Sequence, residues 1–560
     1  MDTIKKDNNK IIVGFVSAIL GMLMFITIYG LKVLDFTYDD WILTGYSDLI
    51  QHYLGWVSFR NTPWKFPIGL IDGIIYPDSI SVIYTDSIPL FAIVFKALSP
   101  ILPSTFQYMG LWGIICYTLQ GMYGGLLIYK FSGKKLYSII GSVFFASSAV
   151  MMQRMFYHTA LAGQWLILAS LYYWFEHNEK VSDWKAIRDW SILSILALLS
   201  EAYFLPMVWG IMLCALLQEI MRKKAFSKAF SVVVFAMSGT LLVGYIYGLF
   251  YGHVPSAGGG LGVFSFNLNG FFNPQGISVL FRGLPFRDGQ GEGYAYLGAG
   301  VFLLIIVALI HFCAVYARNN KVNMDKTVII PMIFFFVGFT CYAISPTVTF
   351  GLSGYEIQLP KTVFNLLSTF RSSGRLIWPV YYMIYLVVIG YIGKAFNKKS
   401  LAIILVFAAC SLQLYELKNA IISRRNVYYN DISFQSSLQS DAWNELADNY
   451  EHIVIYPNTF KMFSNVKGEH IWLYAQENDM TMNVVYLSRD ITGSVNKAVK
   501  KRFKNLEGDR EYADTMYVFI DELPEDDKGL HYYYIDDVVI GVPRVLQCES
   551  VQEMSLEDIG

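Results

Sequence analysis

Apolar runs of membrane-spanning length recur through the first 416 residues of this chain, and they restrict it to one kind of architecture. Stretches such as 229–251 and 327–345 approach the roughly 20 residues that a helix needs to cross hydrocarbon. Backbone polar groups in lipid must be satisfied within the segment, so such runs fold as helices. Composition agrees, because 54% of the 560 residues are hydrophobic and only 16% are charged, too apolar for a soluble globular protein. The expected fold class is a polytopic α-helical membrane protein.

Spans are expected at 12–33, 107–130, 136–152, 156–175, 189–202, 203–221, 229–251, 295–316, 327–345, 375–394 and 400–416, about eleven crossings of the length hydrocarbon demands. Lys5, Lys6 and Lys10 precede the first of them and no small-residue cleavage site follows, so it reads as an anchor. Further basic clusters fall at Lys130/Lys134/Lys135, Lys180/Lys185/Arg188, Arg222/Lys223/Lys224/Lys228, Arg318/Lys321/Lys326 and Lys394/Lys398/Lys399. Placing all of them in the cytoplasm puts the N-terminus inside and everything after about 417 outside. The segment 88–103, with Pro89, Lys96, Pro100 and Pro103, is read as an interfacial helix, since a crossing there would carry Lys134 and Lys135 outward. The outer face then collects the loops 34–106, 252–294 and 346–374 and the tail.

Two domains follow: a membrane domain over 1–416, with 34–106 as its first outer loop, and an extracytoplasmic α/β domain over 417–560. In the tail, short apolar segments at His452–Tyr456, Met482–Leu487 and Met516–Ile520 alternate with polar helical stretches at 434–449 and 494–506. Strands interleaved with helices predict a small α/β unit. It carries no G-x-G-x-x-G turn, which leaves a lid or an acceptor-docking role. Five cysteines lie in or beside the spans and only Cys548 lies in the tail, so neither a disulfide framework nor zinc spacing is present. Walker, H-E-x-x-H and G-x-S-x-G signatures are missing. A net charge of −1 argues against nucleic acid.

Three constellations carry chemistry. In the first outer loop, rich in Asp, Trp41, Trp56 and Trp64, the segment from Ser47 to Arg60 places Asp48, Gln51 and His52 on one helical face, three and four residues apart. A carboxylate beside an amide and an imidazole can act as a general base on a hydroxyl if burial raises its pKa. The same segment also reads as an amphipathic interfacial helix with tryptophan anchors. The second constellation is Phe370-Arg371-Ser372-Ser373-Gly374-Arg375. Two arginines stand there at the outer end of a span, and a serine can cap the helix that follows, which together favour an anion such as phosphate; pairing with ordinary lipid headgroups is the alternative. The third runs from Gly258-Gly259-Gly260 through Asn273-Pro274 to Gln290-Gly291-Glu292-Gly293, either a mobile substrate loop or a plain connector. Glu201, Arg154 and His158 fall near span ends, where ionisable groups are often functional or simply cheap to keep.

Asp48-x-x-Gln51-His52 with Gly55-Trp56 and Phe59-Arg60, then Tyr84-Thr85-Asp86-Ser87-Ile88-Pro89, Phe106-Gln107-Tyr108 and Phe370 to Arg375, set in this topology, resemble GT-C-type membrane glycosyltransferases. That superfamily includes protein mannosyltransferases, oligosaccharyltransferases and aminoarabinose transferases, and the pattern looks most like a bacterial GT-C-like family. The resemblance covers the membrane portion and extends to the tail. It implies transfer of a sugar from a polyprenyl-phosphate carrier to a cell-surface acceptor, on the outer face of the cytoplasmic membrane. Carried over, Asp48 would be the catalytic base, while Arg371 and Arg375 would stabilise the departing phosphate. Asp86, Asp40 and His52 would orient the acceptor or bind a metal, and Gln51, Arg60, Glu201 and Glu292 would complete the substrate-binding set. The loop has adjacent Asp39-Asp40 in place of a D-x-D, which leaves the choice between Asp48 and Asp40 open. No metal is predicted, and the cofactor is left open. A transporter or flippase would explain the helices and arginines without chemistry, but it calls for an internal repeat and midplane sites. A non-catalytic assembly factor for surface polymers is the third reading.

Overall fold

The computed structural model describes residues 2–177, 182–252, 260–319, 325–396, 398–456, 467–488, 514–519, 529–555 and 558. Packing divides the chain into two units, one of 1–38, 105–241 and 259–431, the other of 39–104, 242–258 and 432–560. The division cuts across the linear boundary at 416–417: residues 39–104 and 242–258 are grouped with the tail from 432 onward.

Nine helices among the described residues are long and apolar enough to cross a membrane. They are Asn8–Tyr29, Met109–Ser132, Lys135–Arg154, Phe204–Lys223, Phe226–Ile246, Ala299–Ala317, Lys326–Ile344, Ser373–Ala395 and Lys399–Glu416. Two further expected crossings are also helical but differ in kind. Residues 156–175 yield only the 13-residue helix Trp165–His177, because the chain before it is an irregular turn around Thr159–Ala162. The other, Asp183–Ser200, opens on Asp183, Lys185, Arg188 and Asp189, charges that hydrocarbon disfavours. Pro89–Ile101 is a shorter apolar helix, short of the roughly 20 residues a crossing takes.

In the first unit the helices differ in how much they hide. The Ser373–Ala395 span is 78% buried, whereas Ala299–Ala317 and Lys326–Ile344 are each 22% buried. The first is therefore the core of its unit. The other two present Ile310, Phe334 and Val337 outward, an apolar surface suited to lipid tails. Lys135–Arg154 breaks at Ser147-Ser148, where the Ser148 hydroxyl accepts the Met151 N–H at 3.2 Å and starts a new helix, Ala149–Arg154. A serine in extended backbone at that position satisfies an otherwise orphaned donor.

In the second unit the helix Ser47–Asn61 lies in the interior. Trp56, Phe59 and Leu49 are fully buried and Trp41 nearly so, while Trp64 is exposed. That burial removes the interfacial-helix reading, because an amphipathic surface helix keeps one polar face in water. The tail holds the loop in place. Trp472 Nε1 donates to Ser58 Oγ at 3.0 Å, Tyr76 N–H to the Met482 carbonyl at 2.7 Å, and Phe434 N–H to Asp40 Oδ1 at 2.9 Å.

The tail sheet has six strands in the spatial order Glu553–Met554, His531–Ile535, Val538–Val542, Thr515–Phe519, His452–Tyr456, Thr481–Met482. The His452 strand runs parallel to both its neighbours, and the rest of the sheet is antiparallel. Such a mixed sheet with helices is the α/β organisation expected. The expected strand 482–487 stops at Met482. The Asn483 side chain takes over the backbone of Ile455, accepting its N–H at 2.9 Å and donating to its carbonyl at 3.1 Å, so the ladder ends there. The helix expected over 434–449 is confined to Ala442–Asn449. The helix expected at 494–506 lies outside the described residues, as do Gly258 and Gly259.

Candidate functional site

In the second unit the chemistry gathers on the Ser47–Asn61 helix and the turn that follows the Leu70–Ser81 hairpin. Gly55 permits the approach: a Cβ there would lie 2.5 Å from Ser87 Oγ and 2.5 Å from Thr85 Cβ. With no side chain at that point, the helix reaches the 82–88 turn, in which Asp86 adopts a left-handed backbone (φ 54°), a conformation Asp tolerates better than most residues. The result brings His52 and Asp86 together, with ligand atoms within 4.8 Å of each other and both side chains buried. Burial pushes His52 down to about 3, so it is a neutral imidazole able to donate at one nitrogen and accept at the other. A neutral imidazole and a carboxylate at that separation can hold a cation or a bound hydroxyl between them.

Asp48 stands in the first turn of the helix and is half-exposed; Gln51 and His52, on the same face, are buried. The Gln51 amide nitrogen has no hydrogen-bond partner among the described residues, an orphaned donor that a bound oxygen would satisfy. Arg60 is used structurally, donating to the Ser104 carbonyl at 2.7 Å and the Leu102 carbonyl at 3.4 Å. Asp40 is committed to the Phe434 N–H. Its neighbour Asp39, by contrast, accepts the Tyr53 hydroxyl at 2.6 Å, and burial raises its pKa against that hydrogen bond. Glu477 is also raised, by burial and by the charge of Asp39.

The first unit builds a different cluster. Glu292 lies in a tight 3-10 turn, Gln290–Gly293, held by Gln290. The Gln290 amide donates to Thr349 Oγ1 at 2.6 Å and accepts from Asn267 at 2.8 Å. Gly374 meets this turn backbone to backbone, since a Cβ there would lie 2.8 Å from the Gly293 Cα. That contact delivers Arg375, whose Nε donates to Glu292 Oε2 at 2.7 Å. Arg154, at the end of the broken span, donates to Glu292 Oε1 at 3.3 Å and reaches Oε2 at 3.2 Å. It also donates to the Glu292 carbonyl at 3.1 Å. Arg154 and Arg375 together hold the Glu292 carboxyl down at about 2 although burial opposes it. Arg375 stacks over the Tyr203 ring at 4.4 Å, and the Tyr203 hydroxyl accepts the Ser372 N–H at 2.9 Å. Glu201 is buried and acts electrostatically on Arg375.

The expected serine cap is not formed. Ser372 makes no capping bond with its side chain, and the Ser373 hydroxyl donates to the carbonyls of Ala343 (3.3 Å) and Ser345 (3.2 Å). The hydroxyl is thereby spent on carbonyls of a distant segment, the first of which, 30 residues away, also accepts the Phe266 N–H at 2.8 Å. Arg371 is half-buried in the turn before this helix.

A family model described as "Domain of unknown function (DUF6311)" matches residues 18–418. The chain belongs to the DUF6311 family. A second model, the DUF6311 C-terminal domain, matches residues 442–543. No curated protein matches the sequence. Among solved structures, the archaeal oligosaccharyltransferase AglB from Archaeoglobus fulgidus, in complex with an inhibitory peptide and a dolichol-phosphate, is similar at 9% identity and a TM-score of 0.43. The match covers 98% of this chain and 75% of that one, and a likeness so distant decides nothing about activity.

Within this DUF6311 chain, sequence reasoning found Glu292, Arg375 and Glu201 but did not join them. It treated Arg154 as a lone span-end charge and passed over Tyr203 and the Asp39–Tyr53 pair. The only local signal was adjacency: Tyr203 is two residues from Glu201, and Asp39 is next to Asp40.

Proposed function

We propose that this chain is a membrane glycosyltransferase that moves a sugar from a polyprenyl-phosphate donor to an acceptor on the outer face of the cytoplasmic membrane, in cell-surface glycan modification. The observation that carries the reading is the pair of buried guanidiniums, Arg154 and Arg375, fixed on Glu292 at the ends of two spans. Pre-oriented guanidiniums in a desolvated setting are strong ligands for a phosphate, and lipid-linked phosphates present themselves at that depth. The motif resemblance from Asp48 to Pro89 supports the same assignment.

In the proposed reaction Asp48 accepts the proton of the acceptor hydroxyl as its oxygen attacks the sugar C1. The bond from C1 to the phosphate oxygen breaks, and the electron pair leaves on the polyprenyl phosphate. Arg371 and Arg375 stabilise the charge that develops there, with Arg154 and Glu292 holding Arg375 in place. Asp86, His52 and Gln51 orient the acceptor. Asp40, pinned to the tail backbone, is the weaker choice of base. The tail 417–560 is assigned to acceptor docking.

The test is transfer of labelled sugar from polyprenyl-phosphate donors in membranes carrying wild type, Asp48→Asn, Asp86→Asn or Arg371→Gln, with donor binding followed in parallel. The reading expects Asp48→Asn to bind donor and lose at least about a hundredfold in transfer, and Arg371→Gln to lose donor binding. Normal transfer by Asp48→Asn moves the role of base to Asp86. No transfer by wild type with any donor overturns the enzyme reading in favour of a transporter.

A further inference from the structure

The tail sheet holds a second cluster of chemistry that the transfer reading does not use, at the start of its central parallel strands. His452 opens its strand, and the register sets it opposite Thr481 on one side and Thr515 on the other. Paired positions in a sheet project to the same face, so His452 stands between two threonines. The Asp514 carbonyl accepts the N–H groups of both Glu451 (2.8 Å) and His452 (3.1 Å). The Glu451 carbonyl in turn accepts the Thr481 N–H at 2.9 Å. Three adjacent strand starts are thus tied together, and the side chains of Glu451, His452 and Asp514 converge. One ligand atom from each lies within 4.8 Å of the other two.

The imidazole is held as a metal ligand would be. Nδ1 is 2.7 Å from Thr481 Oγ1, and the Tyr76 ring stacks on the imidazole with centroids 4.3 Å apart and planes 18° from parallel. Those two contacts fix the ring plane and commit Nδ1 to an outer partner, the arrangement that orients metal-binding histidines. Nε2 is left facing Asp514 Oδ2 at 3.9 Å. That is too long for a hydrogen bond and somewhat longer than the separation of two ligands about 2.1 Å from one ion. Asp514 Oδ1 is engaged by the Thr515 hydroxyl at 3.2 Å, which presents Oδ2. Glu451 is exposed, and rotation about its side-chain torsions closes the remaining gap. Beside the cluster is a cavity of about 310 Å³ lined by Asp448, Asn449, Glu451, Asp514 and Arg544, roomy enough for coordinated waters or an anionic ligand that Arg544 would attract.

We propose that Glu451, His452 and Asp514 form a divalent metal site, with the remaining coordination positions open to water. One imidazole and two carboxylates suit Mn²⁺ or Zn²⁺ better than Mg²⁺ or Ca²⁺, which prefer all-oxygen shells.

The experiment titrates Mn²⁺ into the untagged, EDTA-stripped full chain in detergent and follows the free-ion signal by electron paramagnetic resonance. Wild type is expected to take up one equivalent, and thermal unfolding to shift upward with the ion. His452→Gln and Asp514→Asn should each weaken binding by at least about tenfold, the loss that even outer partners produce. Thr481→Val keeps every ligand and should weaken it about tenfold by releasing the imidazole. His531→Gln, which removes another histidine paired with a carboxylate (Glu553, 2.6 Å), should leave uptake unchanged. If wild type takes up no equivalent, or if His452→Gln and Asp514→Asn both retain it at full affinity, the site does not exist.

Discussion

Around Glu292 the protein keeps its charges and pairs them, whereas around Asp39 and His52 it buries titratable groups and drives them toward neutrality. In the first case two guanidiniums share one carboxylate that is held at about 2. In the second, His52 falls to about 3, Asp39 and Glu477 rise, and Lys96, wedged against Phe59 (4.0 Å) and Trp64 (4.9 Å), falls to about 8. Pairing preserves a fixed field that can receive another ion. The shifts of Asp39, Glu477 and Lys96 run toward neutral pH, the direction that acid–base work requires, while His52 is kept as a neutral hydrogen-bonding group.

The largest effect is expected at Glu292. Glu292→Gln removes the common partner of two buried arginines, and breaking a buried ion pair from one side typically costs about 3–5 kcal/mol. Thermal unfolding in detergent should fall accordingly, and an unchanged midpoint would mean the pairing is not what stabilises this region.

Next comes pH. The unfolded chain protonates His52 near 6.5, while the folded chain does so only near 3. Between those values the unfolded state binds the extra proton, so stability declines as pH is lowered from about 6.5 toward 3, by up to roughly 1.4 kcal/mol per unit. Glu292 has the depressed value of a paired carboxylate. Its contribution is intact above about 4.5 and is lost only as pH falls from there toward 2. Denaturant titrations between pH 5 and 6.5 keep Glu292 out of the readout, and His52→Gln should reduce the slope in that window, leaving the share of His470, which burial also lowers. An identical slope in the variant would place the titrating group elsewhere.

Gly55→Ala probes the packing that brings Asp86 to His52. The added methyl meets Thr85 and Ser87 at 2.5 Å, an overpacking expected to cost about 1–3 kcal/mol. The smallest effects belong to Asp39→Asn and Lys96→Met, each within about 1 kcal/mol, because burial already opposes the charge at both positions and deleting it also removes that penalty. A large loss in either one would break the contrast between the two regions.

The spans were legible because hydrocarbon imposes a length and a composition that a run such as Ala299–Ala317 displays on its face. The tail strands at His452 and Thr515 were legible for a similar reason, as short β-branched and aromatic runs. The hairpin His531–Ile535/Val538–Val542 went unread, although its turn, Asp536-Asp537, has both residues at positive φ, the geometry that two-residue hairpins favour. At the sites, sequence exposed the residue types but not their partners. Glu292 and Arg375 are 83 residues apart and Arg154 and Glu292 138, and no periodicity links such positions. The contact of Gly374 with Gly293 that joins them is invisible until both backbones are placed. The serine cap failed for the complementary reason: local pattern suggested it, and two distant carbonyls took the donor.

The bond from Trp472 to Ser58 spans 414 residues, and that from Phe434 to Asp40 spans 394. During synthesis the first partner of each pair is made long before the second exists. At the ribosome's pace of about 5–20 residues per second, the delay is on the order of 20–80 s. Throughout that interval the face of the Ser47–Asn61 helix that Trp472 will cover has no partner from the tail. Biogenesis of this chain thus includes an obligatory waiting period, during which the early segment must be shielded, by the bilayer surface or by a chaperone, until its late-made complement arrives.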